Sequence, residues 1–147
     1  MKRLVATIGA VAGLSIPFGD SWGVCLDERG VSGYHIPLAK EIQAAHTVAI
    51  GTVVSKVDVT SGGFVEATVY RFAVEETLRG KHHTQIELSS ENTSGRFPMD
   101  IGSRYLAFVS KDRGTFYVSN CGSSGKLPEY SQTVEAVRKK LRKGANG

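Results

Sequence analysis

Two long runs of strand-forming residues, joined by a glycine-rich turn, constrain the fold of this chain more than any other feature. The first run, residues 47–59, is rich in β-branched side chains and contains Gly51. The second run, residues 64–76, follows the Ser-Gly-Gly segment at residues 61–63. β-Branched residues favour strands, and a short glycine-containing turn between two such runs favours a β-hairpin. The sequence therefore predicts a hairpin of two long strands, with Gly51 permitting the first strand to bend.

Three shorter segments after this hairpin also have the composition of strands. They are residues 84–89, 104–110 and 115–119, and the last two flank a polar turn at residues 111–114. In the first of them, Ile86 and Leu88 should point inward. Together with the hairpin, these segments give five strands in a mainly β chain.

Helical periodicity is confined to the two flanks of the strand region. Residues 37–46 form a short helix candidate, and apolar residues recur at helical spacing over residues 130–141, with Ser131 as the expected N-cap and Gly144 as the expected C-cap. Five strands with helices only at the ends favour a five-stranded oligonucleotide/oligosaccharide-binding (OB) barrel with a short N-terminal helix and a C-terminal helix.

The amino terminus has the pattern of a secretory signal. Basic residues precede an apolar stretch at residues 4–16, and a Ser-Trp-Gly cleavage site follows at residues 21–23. The apolar stretch is too short to span a bilayer core of about 30 Å, and the alternative of a buried helix is weakened by its glycines. We expect residues 1–23 to be a signal peptide, residues 24–147 to form one domain, and the protein to be secreted or periplasmic without a transmembrane segment.

The chain contains two cysteines, Cys25 and Cys121. Thiols are oxidised outside the cytoplasm, so two cysteines in an exported chain favour an intramolecular disulfide bond. A free thiol and an intermolecular bridge are the alternatives. An intramolecular bridge would close nearly the whole mature domain, which in the chain-entropy model stabilises it by about 4–5 kcal/mol.

Positive charge is concentrated at the carboxyl terminus, although the formal net charge of the whole chain is only +4. These cations either complement the dipole of a solvated helix end or form a patch for an anionic surface, such as a polyanionic glycan or a membrane. Nucleic acid is not an expected partner, because no aromatic residues interleave with the cations. The residues concerned are Arg138, Lys139, Lys140, Arg142 and Lys143.

Four sequence blocks resemble the bacterial relatives of the tissue inhibitors of metalloproteinases. The blocks are residues 46–54 (HTVAIGTVV), 70–80 (YRFAVEETLRG), 102–108 (GSRYLAF) and 117–121 (YVSNC), and their order and spacing cover roughly residues 25–141. The resemblance implies a netrin-like domain, which is an OB barrel, and binding to another protein such as a protease.

The resemblance also implies that the segment around the first cysteine binds the partner, namely Val24, Cys25 and Leu26. The family often begins its mature chain with Cys-x-Cys, whereas residues 25–27 here read Cys-Leu-Asp, and the partner of the missing cysteine is replaced by Ser-Gly at residues 94–95. In the animal inhibitors the amine and carbonyl of a terminal cysteine chelate the protease zinc. Here Val24 converts that amine into an amide, so we expect no inhibition by chelation.

No catalytic motif is present in the sequence, and we expect neither enzymatic activity nor a cofactor or metal. Glu75 and Glu76 are neighbours on a strand and should point to opposite faces, so they cannot act as a carboxylate pair. His82 and His83 lie in an expected turn, where they are either solvated or a weak surface metal site. Aromatic side chains in the strands either pack in the core or form a stacking platform for a sugar or base. The residues concerned are Tyr70, Phe72, Tyr105 and Phe108.

Two classes of function follow from these observations. The first is a non-enzymatic protein-binding module that uses the segment near the disulfide bond. The second is a barrel that binds a glycan or another polyanion through its loops and its basic helix. An enzyme is the third and least expected class.

Overall fold

The structure is a computed structural model that describes Cys25 and residues 35–145. The expected signal peptide, residues 1–23, lies outside this part of the chain. The described residues are mainly β, and none of their helices has the length and apolar composition needed to cross a membrane. The elements are α1 (Leu38–Ala44), β1 (Thr47–Ser61), β2 (Phe64–Gly80), β3 (Gln85–Glu91), β4 (Arg104–Asp112), β5 (Thr115–Val118), β6 (Gly125–Lys126) and α2 (Ser131–Gly144).

The five longer strands form one sheet that closes on itself. The strand order is β1-β2-β3-β5-β4, and β4 returns to pair with residues 47–52 of β1. Neighbouring strands are antiparallel except β3 and β5, which run parallel and pair at one position, where Leu88 lies opposite Phe116. The two-residue strand β6 adds to β4 beside Tyr105 and Leu106. The first strand is thus shared by two partners, and this sharing closes the sheet.

Buried side chains form two clusters on the two faces of the closed sheet. The cluster inside the sheet contains Phe72, Leu88 and Val109, and Ile86 also lies there, as predicted. The second cluster lies between the sheet and the two helices and includes Ile42, Leu106 and Val137. The four aromatic side chains considered for a stacking platform are all buried, which confirms the core interpretation: Tyr70, Phe72, Tyr105 and Phe108.

The hairpin strands extend further than the sequence pattern indicates. Residues 78–81 (LRGK) have the composition of a turn, but β2 continues to Gly80 because its last residues pair with the start of β1, with Thr47 opposite Gly80. The Arg79 guanidinium extends this contact by donating hydrogen bonds to the carbonyls of Ala45 (2.7 Å) and Gln43 (3.1 Å). Long-range pairing therefore overrides the local turn signal at this position.

The ends of the helices also differ from expectation. Helix α1 covers only part of the predicted segment 37–46 and ends at Ala44. The N-cap of α2 is Tyr130 and its C-cap is Ala145, each one residue outside the expected Ser131 and Gly144, which are the first and last residues of the helix. The Ser131 hydroxyl bonds to the Pro128 carbonyl at 2.6 Å instead of capping the helix.

Gly51 lies where β1 and β2 approach each other most closely. A Cβ atom there would overlap the carbonyl oxygen of Ala73 and would lie 2.8 Å from the ring of Phe72. The register between β1 and β2 also shifts between Ile50 and Gly51. The sequence predicted that this glycine permits a bend, and the structure adds that no side chain fits at its position.

We expect Gly51→Ala to lower the free energy of unfolding by about 1–3 kcal/mol, the usual cost of overpacking a core. Replacing glycine by alanine normally stabilises a chain by restricting its unfolded state. Here the overlap with the Ala73 carbonyl dominates, because that backbone atom cannot move without breaking the β1–β2 pairing. Urea unfolding followed by circular dichroism measures the effect.

Gly95→Ala is the matched control for this substitution. A Cβ atom at Gly95 would have only the Thr93 hydroxyl oxygen as a neighbour, at 3.6 Å, so this variant should unfold at the wild-type urea concentration or above it. If the Gly51 variant and the wild type unfolded at the same urea concentration, β1 and β2 could move apart without loss of stability, and the prediction would be wrong.

Candidate functional site

The two cysteines form an intramolecular disulfide bond, as predicted. Cys25 and Cys121 are bridged with their Cα atoms 5.4 Å apart, and Cys25 is buried. The chain near the bridge is held by the amide of Ile36, which donates a 3.2 Å hydrogen bond to the carbonyl of Cys121. Val24 and Leu26, the other two residues of the expected partner-binding segment, lie outside the described residues.

A buried carboxylate attaches the segment after Cys121 to helix α1. Both oxygens of Glu41 accept from the backbone amide of Ser123, at 3.0 and 2.8 Å. Burial raises the pKa of Glu41, and the hydrogen bonds from Ser123 act in the opposite direction. A Cβ atom at Gly122 would collide with this carboxylate, so a larger residue there would require the Glu41 side chain to move. The disulfide and Glu41 thus fix the same segment from two directions.

The basic end of α2 is divided between one paired cation and four exposed ones. The Arg138 guanidinium bonds to Glu76 at 2.7 Å and to Glu135 at 3.0 Å, so it joins the helix to β2. Among the described residues, no ion pair involves the remaining cations of the predicted patch, and all four are exposed. They are Lys139, Lys140, Arg142 and Lys143.

The neighbouring carboxylates Glu75 and Glu76 bind different basic residues. Glu75 accepts from the Arg104 guanidinium at 2.8 Å and from the Thr52 hydroxyl at 2.6 Å, and the bond from Arg104 lowers the pKa of Glu75. Glu76 is bound by Arg138. The two carboxylates therefore stabilise the surface separately, as their adjacent positions on a strand indicated.

A polar cleft of about 530 Å³ lies between β3 and β5, where these strands diverge from their one pairing position. Its walls carry hydroxyl groups, the carboxylates of Glu91 and Asp112, the guanidinium of Arg113 and the exposed ring of Tyr117. Two carboxylates beside one cation make the cleft more suitable for a neutral polar ligand than for a polyanion. The hydroxyl-bearing residues are Ser89, Ser90, Thr93, Thr115, Tyr117 and Ser119.

The β1–β2 hairpin extends beyond the closed sheet and carries apolar side chains on its outer face. Pairing with β4 ends at Thr52, and pairing with β3 ends at Ala67. We call residues 54–69 the hairpin tip. On one face of the tip, Val57 lies opposite Val69, Val59 opposite Ala67, and Phe64 opposite Ser61. We call this set the outer apolar face: Val57, Val59, Phe64, Ala67 and Val69.

The outer apolar face is open to solvent, whereas the inner face of the tip is polar. Phe64 is 78% exposed and Val57 is 66% exposed. On the inner face, Lys56 lies opposite the buried Tyr70, and Asp58 accepts a 2.8 Å hydrogen bond from Thr68. A sheet with one solvated face normally turns its polar side chains to water. Both faces of the tip are exposed here and one of them is nevertheless apolar, and exposed apolar patches of this kind mark interaction sites.

The sequence analysis did not identify this face, because alternating valines at positions 53, 57 and 59 resemble an ordinary buried strand. Only Val53 is buried. One signal was available: the hairpin strands are much longer than the three strands that could cover them. The excess length predicts a part of the hairpin that no other strand of the chain can bury.

Two histidines and a phenylalanine form a cluster where β1 begins and β2 and β3 are joined. The His46 and His83 rings are 6.0 Å apart, and Phe116 of β5 lies within 5.7 Å of both. Each histidine has a buried Nε2 atom without a hydrogen-bond partner in the described chain. His82, the other residue of the predicted pair, contacts Thr77 instead, with 3.2 Å between its Nδ1 and the threonine hydroxyl.

This histidine cluster is a poor metal site. Structural zinc requires four ligands, and no three His, Cys, Asp or Glu side chains of the described residues are grouped closely enough to hold a metal ion. Burial is the main cause that lowers the pKa of His83, and the positive charges of Lys81 and Lys111 add to it. These effects favour the neutral form of the His83 imidazole and disfavour a cation beside it.

Comparisons with known proteins do not assign the chain to a family. No protein-family model matches the chain, and no curated protein is significantly similar to it. The function must therefore be argued from the surfaces described above.

The lowered pKa of His83 predicts that the protein loses stability in mild acid. Folded His83 binds its proton less tightly than unfolded His83, so its contribution to stability is complete above the ordinary histidine pKa of about 6.5 and is lost as the pH falls below that value and through the lower pKa of the folded state. We expect His83→Gln to reduce the loss of unfolding free energy between neutral pH and pH 5.5, measured by urea unfolding at each pH.

The exposed His35 provides the control for this experiment. His35→Gln should leave the wild-type pH dependence in place. An identical decline in the wild type and the His83 variant would assign the acid sensitivity to other groups.

Proposed function

We propose that this chain is an exported, non-enzymatic protein-binding module built on an OB-type, netrin-like barrel. The closed sheet of five strands supports the fold assignment, together with the parallel contact between the non-consecutive strands β3 and β5, since the OB fold is a five-stranded barrel with Greek-key connections. The disulfide bond between Cys25 and Cys121 supports export, because such bonds persist in oxidising compartments.

The outer apolar face of the hairpin tip carries the functional proposal. Its most exposed members, Phe64 and Val57, belong to neither core cluster, so these apolar side chains do not stabilise the fold by being buried. Protein interfaces typically have an apolar centre with aromatic anchors and a polar rim. Phe64 is suited to be such an anchor, because it is an aromatic side chain that is 78% exposed.

The partner is expected to be a protein with a complementary apolar surface, and a protease is the class that the family resemblance implies. The amino-terminal segment of Val24, Cys25 and Leu26 would provide a second contact, fixed to the domain by the disulfide bond. Zinc chelation has no part in this proposal, because Val24 blocks the amine of Cys25. Binding through the tip leaves the catalytic metal of a protease untouched.

The test is capture of a partner from the exported proteins of the source cells by the immobilised mature protein. We expect one protein to be retained by the wild type and to be depleted about tenfold or more by the combined change Val57→Ser and Phe64→Ser. Removing two central apolar side chains costs an interface roughly that factor or more. Quantitative mass spectrometry measures the retention.

Ile101→Ser combined with Tyr130→Ser is the matched control, since it removes two exposed apolar side chains outside the tip. This variant should retain the same protein as the wild type. Equal retention by all three forms, or no retained protein, would contradict a role for the outer apolar face.

Glycan binding is a second candidate, favoured by the cleft between β3 and β5 and by the exposed cations of α2. The cleft combines six hydroxyl-bearing residues with the exposed Tyr117 ring, a combination suited to a sugar. Lys139, Lys140 and Lys143 are exposed near the end of the helix and would attract the acidic groups of a polyanionic glycan.

If the helix binds a polyanion, changing Lys139, Lys140 and Lys143 to alanine should lower the salt concentration that elutes the protein from heparin. Exposed charges act only over about 10 Å at 0.1 M salt, so the position of the cations matters as well as their number. The control removes the same charge elsewhere, by changing Lys40, Lys81 and Lys111 to alanine. If the two triple variants eluted from heparin at the same salt concentration, net charge alone would explain the weaker binding, and the helix would not be a specific polyanion site.

A further inference from the structure

Among the described residues, no strand lies beside the outer edge of β1 along the hairpin tip. Val53 is the last residue of β1 to bond across this edge within the described chain, accepting from the Gly102 amide at 2.7 Å and donating to the Ser103 carbonyl at 3.1 Å. Beyond Val53 the strand continues to Ser61 with β2 on its other side. Unpaired strand edges present a row of amide and carbonyl groups that can pair with another strand.

The sequence of this edge complements itself. Lys56, Val57 and Asp58 follow each other, with opposite charges on either side of the valine. If two copies of the edge run antiparallel with Val57 opposite Val57, Lys56 of each copy lies opposite Asp58 of the other. Opposite charges at directly facing positions stabilise an antiparallel pair, and like charges destabilise it.

Other symmetric registers do not have this property. A pair centred on Lys56 places two lysines opposite each other, and a pair centred on Asp58 places two aspartates opposite each other. Registers centred between residues would place the polar inner face of one copy beside the outer apolar face of the other, because facing residues lie on the same side of a sheet. The Val57 register alone matches both charge and face.

We infer that a second copy of this chain pairs with the β1 edge, antiparallel over residues 55–59, with the twofold axis at Val57. The exposed side chains of Val57 then contact each other across the axis, and Val59 of each copy faces Ser55 of the other. The contact is isologous, as a twofold dimer requires, and it joins the two hairpins into one continuous sheet.

The paired edge also changes the outer apolar face. Strands in a sheet lie about 4.8 Å apart, so the outer faces of the two tips become neighbours on one side of the joined sheet. A partner protein would then meet a patch of twice the width. The inference does not depend on that partner, because pairing of the β1 edges is tested with the purified chain alone.

Charge exchange tests the register. The mature wild type should show a concentration-dependent dimer in sedimentation velocity between micromolar and millimolar concentration. Lys56→Asp makes both facing positions negative, and Asp58→Lys makes both positive, so each variant alone should raise the Kd by about tenfold or more. An equimolar mixture should recover dimers, because the two changed edges complement each other again.

The mixture also distinguishes the loss of a charge-dependent interface from misfolding of the hairpin, since variants with a misfolded tip would not form dimers again on mixing. Asp112→Lys makes the same charge change as Asp58→Lys at the end of β4 and should dimerise like the wild type. A wild type that stays monomeric at millimolar concentration, or a mixture that stays as monomeric as its components, would overturn the inference.

A cysteine placed on the axis gives an independent measurement. Val57→Cys should form a disulfide bond between copies under mild oxidation, because the two thiols face each other directly. Val59→Cys should not, since its two thiols would be four positions apart, about 13 Å at the rise of a strand. Equal cross-linking at both positions would indicate random collision and would contradict the Val57 register.

Discussion

The rest of the structure depends on the sharing of β1 between β2 and β4. Its first residues pair with both strands at once, and this double pairing closes the sheet and separates an inner core from an outer one. Gly51 lets the β1 backbone lie close to the Ala73 carbonyl within this doubly paired segment. Past Thr52 the strand loses β4 but keeps β2, so the same strand that closes the sheet also supports the exposed tip.

Charged groups near both ends of the domain serve mainly to connect elements. Glu41 joins α1 to the segment beside the disulfide, and Arg138 joins α2 to β2. Arg79 joins the end of β2 to the chain before β1. These contacts fix the helices against the outer core, whereas the cations at the carboxyl end of α2 remain exposed to solvent. Function is therefore to be sought in the groups that the fold does not use.

The sequence predicted the strands, the two helices and the disulfide bond, because each leaves a local pattern: β-branched runs, helical spacing and a pair of cysteines. It failed where long-range pairing decides the outcome. Residues 78–80 have the composition of a turn and yet form strand opposite the start of β1. The exposure of Val57 could not be read from alternation, because the pattern does not reveal how far a neighbouring strand extends. Likewise, His46 and His83 are distant in sequence and are brought together because the start of β1 pairs with the end of β2.

Val53 and Tyr70, which border the hairpin tip on its two strands, are the last residues of the inner core in this direction, and Val57, Val59 and Phe64 belong to neither core cluster. Changes in its length or surface therefore leave the packing of the closed sheet intact. Such a chain can acquire new partners by altering a few side chains at one end of one hairpin, without risk to its ability to fold. The tip is the part of the molecule in which evolution can vary recognition at the lowest structural cost.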